Sequence, residues 1–199
     1  MREIAKQFWT RADYPKYGTI KQRRLHEFNY LYPYLKDAQS VLDLGCGDGA
    51  LVEILRHLID AKLTACDLSE PFIEDIHPDI KSFVYDSYEP TELPTADVTI
   101  WAGAIPFLFE DEVVIEQLKY INSPKLLVRC PCAEEDTYIN KHSEELKEQY
   151  SSRYRTTMHI TSLLETKYKV EKIERIYPDD IESKFGTKQY YFVCQKLTD

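Results

Sequence analysis

The sequence predicts an α/β protein built on a mostly parallel sheet of seven strands, covered by helices on both faces, with an antiparallel last strand. Three observations carry this. Strand-like and helix-like segments alternate from Ser40 onward, and such alternation lays successive strands parallel in one covered sheet. The last two strand-like segments, KVEKIERIY and QYYFVCQKL, are joined by residues 178–188 with no helix signal, which suits an antiparallel pair. A glycine cluster, GCGDGA, follows the first strand at once, where open α/β sheets bind their ligands.

The elements follow in order. Residues 1–36 form an aromatic and basic extension ahead of a main domain spanning 37–199; single-domain packing is expected at this length. Leu25, Phe28, Leu31 and Leu35 recur at near-helical spacing, while Pro15 and Gly18 mark an irregular stretch before them. SVLDL is the first strand, ALVEILRHLID a helix and KLTACDL the second strand. PFIEDI is a short helix opened by Ser69 and Pro71. SFVYD and ADVTIWA are the third and fourth strands. EDEVVIEQLKYI is a helix with acids in its first turn. PKLLVRCPC is a fifth strand, expected to stop at Pro131. Residues 134–155 are polar and charged with scattered apolar positions, and TSLLETKY reads as a helix capped by Thr161.

The net charge is −9, from 34 acidic and 25 basic residues. Nucleic-acid affinity comes from clustered Lys and Arg, so this balance argues against a nucleic-acid partner. The five cysteines, Cys46, Cys66, Cys130, Cys132 and Cys194, are odd in number, and four lie in strand-like runs. They read as reduced thiols of a cytoplasmic protein. The opening MREIAKQFWT has no signal-peptide core, and no apolar run reaches bilayer-spanning length.

The glycine cluster parses in two ways. As GxGxx(G/A), ending on Ala50, it matches a dinucleotide fingerprint. As DxGxGxG, it runs from Asp43 through Gly45 and Gly47 to Gly49. A carboxylate at Asp43 would repel a pyrophosphate but suits a ligand with an ammonium and a sulfonium. Asp67, ending the second strand, is placed to accept hydrogen bonds from ribose hydroxyls.

Over roughly residues 38 to 197, the chain resembles the class I S-adenosylmethionine-dependent methyltransferases. VLDLGCGDGALVEIL resembles their first motif, CDLSE the acidic end of the second strand, and ADVTIWAGAIPFLFEDE their fourth motif. The resemblance implies a Rossmann-like sheet and S-adenosylmethionine as cofactor. It assigns Asp43, Gly45, Cys46, Gly47 and Gly49 to the cofactor loop, Asp67 and Leu68 to the ribose, and Asp86 and Ser87 to the adenine. Trp101, Ala102 and Gly103 would line the floor near the reactive methyl.

For the acceptor, the resemblance points to a small molecule methylated on O or N. The (N/D)PP(Y/F) motif of DNA amine methyltransferases is missing from AGAIPF. Cys130 and Cys132 read as buried strand thiols, and no spacing supports a metal site. Members of this family that act on small molecules often carry an N-terminal lid, here offering Trp9, Arg11, Tyr14, Lys16 and Tyr17. The segment after the fifth strand offers His142 and His159 as candidate bases, and Arg153 in SRYR as a clamp for an acidic group. Three other readings stand beside this one, among them an RNA or protein methyltransferase, which the compact size and acidic charge disfavour. An NAD-dependent oxidoreductase would need a hydride-handling pair such as Tyr-x-x-x-Lys. A non-catalytic methyltransferase-like partner protein would not need an intact loop.

Overall fold

The apolar runs form strands buried on both faces, as a helix-covered parallel sheet requires. The computed structural model describes residues 6–8, 10, 21–143, 148–178 and 186–197. Strands β1 (Ser40–Leu44), β2 (Lys62–Asp67), β3 (Lys81–Val84), β4 (Val98–Ala102) and β5 (Lys125–Cys132) are mutually parallel. The chain then adds β8 (Tyr168–Arg175) and β9 (Lys188–Lys196). The sheet order is β3-β2-β1-β4-β5-β9-β8, and the last strand, β9, is antiparallel to both neighbours. The expected seven-stranded sheet with a reversed final strand is present. β9 lies inside the sheet, leaving β8 at the edge.

Strand residues alternate between faces, and two cores result. On one face Val41, Ala65, Ile100 and Leu127 meet α1 (Lys21–Leu35), through Leu31 and Leu35, and α2 (Ala50–Leu58), through Leu51 and Leu55. On the other face Leu42, Leu44, Trp101, Val128 and Phe192 meet α4 (Asp111–Tyr120) and α5 (Thr157–Leu164). The short α3 (Glu70–Glu74) is capped as expected, with the Ser69 hydroxyl accepting from the Phe72 N–H.

Two local expectations need correction, and one segment holds structure its pattern did not mark. β5 continues through Pro131 to Cys132. β4 pairs with β5 only as far as Arg129, so the proline sits where the strand has one neighbour, a position that tolerates a missing N–H. The cap of α5 is Thr156, whose hydroxyl accepts from the His159 N–H; Thr161 lies inside the helix and donates to the Thr157 carbonyl. Residues 134–155 contain a separate antiparallel hairpin, β6 (Thr137–Ser143) and β7 (Glu148–Tyr154).

Candidate active site

The sheet order reverses between β1 and β4, and the crevice outside the carboxyl ends of these strands is the natural ligand site. Strand parity decides what faces it. Asp43 shares a face with Val41, Asp67 with Ala65, Ala102 with Ile100, and Arg129 with Leu127. Two carboxylates, a small residue and a guanidinium therefore line one side of four adjacent strand ends. Trp101 has the opposite parity. It is wholly buried in the other core and does not line the floor with Ala102 and Gly103.

Between β1 and α2 the chain turns through Gly45, Gly47 and Gly49, each with positive φ. A β-carbon at Gly45 would lie 3.0 Å from the Ala104 β-carbon, so glycine there lets the loop approach the segment after β4. The loop is tied to β2. The Gly45 and Cys46 N–H groups donate to the Cys66 carbonyl at 2.8 and 3.0 Å. The Asp67 carboxylate accepts from the Gly47 N–H at 2.8 Å and the Ser69 N–H at 3.0 Å. Burial pushes the Asp67 carboxyl above its usual range, against the pull of these N–H donors. Asp43 is buried at the end of β1, and Leu68 is half-buried beside Asp67. The Cys46 thiol is buried and pushed well up by desolvation and by the charges of Asp43 and Asp67.

Beyond β3, Asp86 accepts from the Tyr88 N–H at 2.9 Å and forms an ion pair with Lys6. Ser87 is half-buried beside it. Two residues after Lys6, the buried Phe8 ring stacks on Tyr150 of the hairpin at 4.5 Å. Residues 6–8 thus join the loop after β3 to β7. The lid candidates Trp9, Arg11, Tyr14, Lys16 and Tyr17 lie outside the described residues.

The floor carries a group that sequence reasoning missed. The Arg129 guanidinium pairs with the fully buried Glu27 of α1, donates to Gln189 at 3.0 Å and reaches the Ala102 carbonyl at 3.4 Å. Gly103 has a φ of +88°, and a β-carbon there would lie 2.7 Å from an Arg129 terminal nitrogen. A signal existed. Arg129 interrupts an apolar strand run, and Glu27 falls on the helical stripe of Leu31 and Leu35.

The remaining candidates separate. Arg153 bonds Asp111 at 2.9 Å and Asp136 at 3.3 Å. The buried Arg155 bonds Asp111 at 2.8 Å and the Leu108 and Phe109 carbonyls. His159 has Nε2 at 3.1 Å from Asp111 and Nδ1 at 2.6 Å from Asp136. This network fastens the hairpin and α5 to the segment after β4. His142 is exposed on β6. Among the described residues no helix is long and apolar enough to cross a membrane, and no group of three or more His, Cys, Asp or Glu could hold a metal.

No protein-family model and no curated protein matches the chain, but solved structures do. A protein of Pyrococcus horikoshii OT3 aligns with a TM-score of 0.71 at 15% identity, covering 92% of this chain and 93% of that one. A SAM-dependent methyltransferase of Methanosarcina mazei aligns with a TM-score of 0.70 at 14% identity, covering 85% and 98%. The chain has the class I methyltransferase fold. The 1,6-didemethyltoxoflavin-N1-methyltransferase of Burkholderia thailandensis, solved with 1,6-didemethyltoxoflavin and S-adenosylhomocysteine bound, shares this fold (TM-score 0.65, 14% identity, covering 92% and 80%).

Proposed function

We propose that this chain is an S-adenosylmethionine-dependent methyltransferase acting on an O or N atom of a small molecule. The observation that carries the reading is the pairing of Asp43 and Asp67 on one face of adjacent strand ends, with the positive-φ glycine loop tied to Asp67. The residues fit the cofactor. Asp67 retains acceptor capacity for ribose hydroxyls beyond its backbone donors. Asp43 offers a buried negative charge that suits an ammonium or sulfonium and opposes a pyrophosphate. The loop after β3, with Asp86 and Ser87, would take the adenine end. When bound, the cofactor supplies an electrophilic methyl group.

The chain's own part is positioning and exclusion of water. An in-line displacement needs the acceptor atom aligned and close. The floor at Ala102 and Gly103 sits over the Arg129–Glu27 pair, which stiffens it. The extension before α1, with Trp9, Arg11, Tyr14 and Tyr17, serves as a lid in this reading, and residues 6–8 are held against the hairpin and the loop after β3. The crossing of Phe8 onto Tyr150 supports a covered pocket, and the toxoflavin enzyme on the same fold is a precedent for a compact acceptor. The acidic balance of the chain disfavours RNA.

The test is transfer from methyl-labelled S-adenosylmethionine into a cell extract divided into small molecules, RNA and protein. Enzyme-dependent label in the small-molecule fraction, lost in Asp67→Ala, is the expected result. Label confined to RNA or protein would overturn the small-molecule assignment.

A further inference from the structure

The sheet has two unequal edges. β3 has four residues, whereas β8 has eight. Among the described residues no strand pairs with the outer side of β8. The outward N–H and C=O groups of an edge strand are a template for another strand. β8 carries charges of alternating sign in the order Lys169, Glu171, Lys172, Glu174 and Arg175. The chain as a whole has a net charge of −9, so two copies repel each other less at this edge than over the rest of their surfaces.

A bulge sets which side chains share a face. Val170 pairs with Cys194 of β9 and Lys172 with Val193, so Glu171 is the extra residue. Ile173, opposite Phe192, therefore returns to the α5 face with Val170. Lys169, opposite Gln195, and Glu174, opposite Tyr191, share the α1 face. Unbroken alternation would put the members of each pair on opposite faces. Ile173 is 43% exposed and lines a groove with Met158 of α5, which is 81% exposed. Glu174 bonds Lys172 at 2.7 Å along the strand, and a carboxylate has room for a second donor.

A twofold axis through the bulge, perpendicular to the sheet, lays a second β8 antiparallel to the first. Val170 of each copy then falls opposite Ile173 of the other, on the same face. Lys169 of each copy falls opposite Glu174 of the other. The axis repeats both pairs, so the edge is complementary to itself in apolar contact and in charge. We propose that β8 is a homodimer interface, where two copies pair in this register and join their sheets into one. The lysines and the bulge, which hinder indiscriminate edge pairing, select a second copy of this chain.

Sedimentation velocity tests this over about 1–100 μM, the affinity range expected of a small interface. The wild type is expected to shift from the 23.4 kDa chain toward twice that mass. Lys169→Glu and Glu174→Lys each set like charges opposite one another at both symmetric positions, and each weakens the dimer about tenfold or more. An equimolar mixture of the two variants regains dimerisation, because every reversed charge then meets its opposite. Mixing would not rescue a variant that had merely lost its fold. A wild type that stays monomeric, whose edge would then await a different partner, overturns the proposal. So does a dimer that neither substitution weakens, or a pair of weakened variants that mixing does not restore.

Discussion

Replacing Gly103 with alanine tests how the floor of the crevice is built. The residue has a φ of +88°, and its new β-carbon would come 2.7 Å from an Arg129 terminal nitrogen. The backbone term alone is about 1–2 kcal/mol, the cost of holding an L-residue in a left-handed conformation. The contact adds to it. The end of an arginine usually swings aside cheaply, but this one is engaged by Glu27, Gln189 and the Ala102 carbonyl. Breaking a buried ion pair outright costs about 3–5 kcal/mol, and a partial displacement takes a fraction of that. The sum is about 2–4 kcal/mol, or a Tm lower by roughly 5–15 °C for a chain of this size. Urea unfolding followed by circular dichroism reads it as a lower midpoint with an unchanged slope. In a background carrying both Glu27→Gln and Arg129→Met, the same substitution should cost only the backbone term. A loss below about 0.5 kcal/mol in the wild type, a value typical of a neutral surface change, would refute the reasoning. So would an equal loss in both backgrounds.

Acid should weaken the hairpin's anchorage. Burial raises the Asp111 carboxyl, but Arg155, Arg153 and His159 outweigh it and hold it below its ordinary value. Burial likewise opposes the Thr156 N–H, His159 and Arg153 at Asp136, which also ends low. Groups lowered on folding contribute fully above about pH 4 and lose that contribution as pH falls through their folded values. The urea midpoint should therefore drop below pH 4, less so in Asp111→Asn; an equally steep drop in that variant contradicts the assignment. All five cysteines are buried, and burial pushes Cys46 and Cys66 well up and Cys194 up to about 12. Ellman's reagent at pH 8 should label none in the native protein and five after denaturation; a fast native thiol would show an open site. Phe8→Ala should speed hydrogen exchange in β6 and β7 while leaving β1, β4 and β5 protected; unchanged hairpin exchange would mean Phe8 fastens nothing there.

The parts of the fold legible in the sequence are those written in local pattern. β1, β2 and β4 are short apolar runs; β1 and β4 are followed at once by a glycine, and β2 ends on Asp67. The hairpin was hidden because Thr137–Ser143 and Glu148–Tyr154 are largely polar, so no alternation marks a buried face. The Arg129–Glu27 pair joins residues far apart in sequence, and the tertiary packing of α1 on β5 brings them together. The α5 cap was misread because Thr156, Thr157 and Thr161 are chemically equivalent; only the packed start of the helix distinguishes them. Arg153 and His159 resemble site residues by type. Their partners Asp111 and Asp136 come from elsewhere in the chain and engage them in an internal network.

The central claim is that the glycine loop and Asp67 hold S-adenosylmethionine. Calorimetric titration with S-adenosylhomocysteine, with NAD as the competitor chemistry, tests it most directly. The account predicts one site for S-adenosylhomocysteine, weakened about tenfold or more in Asp67→Ala, the scale of lost hydrogen bonds to a charged group. It predicts no binding of NAD. Tight NAD binding with none of S-adenosylhomocysteine would contradict it.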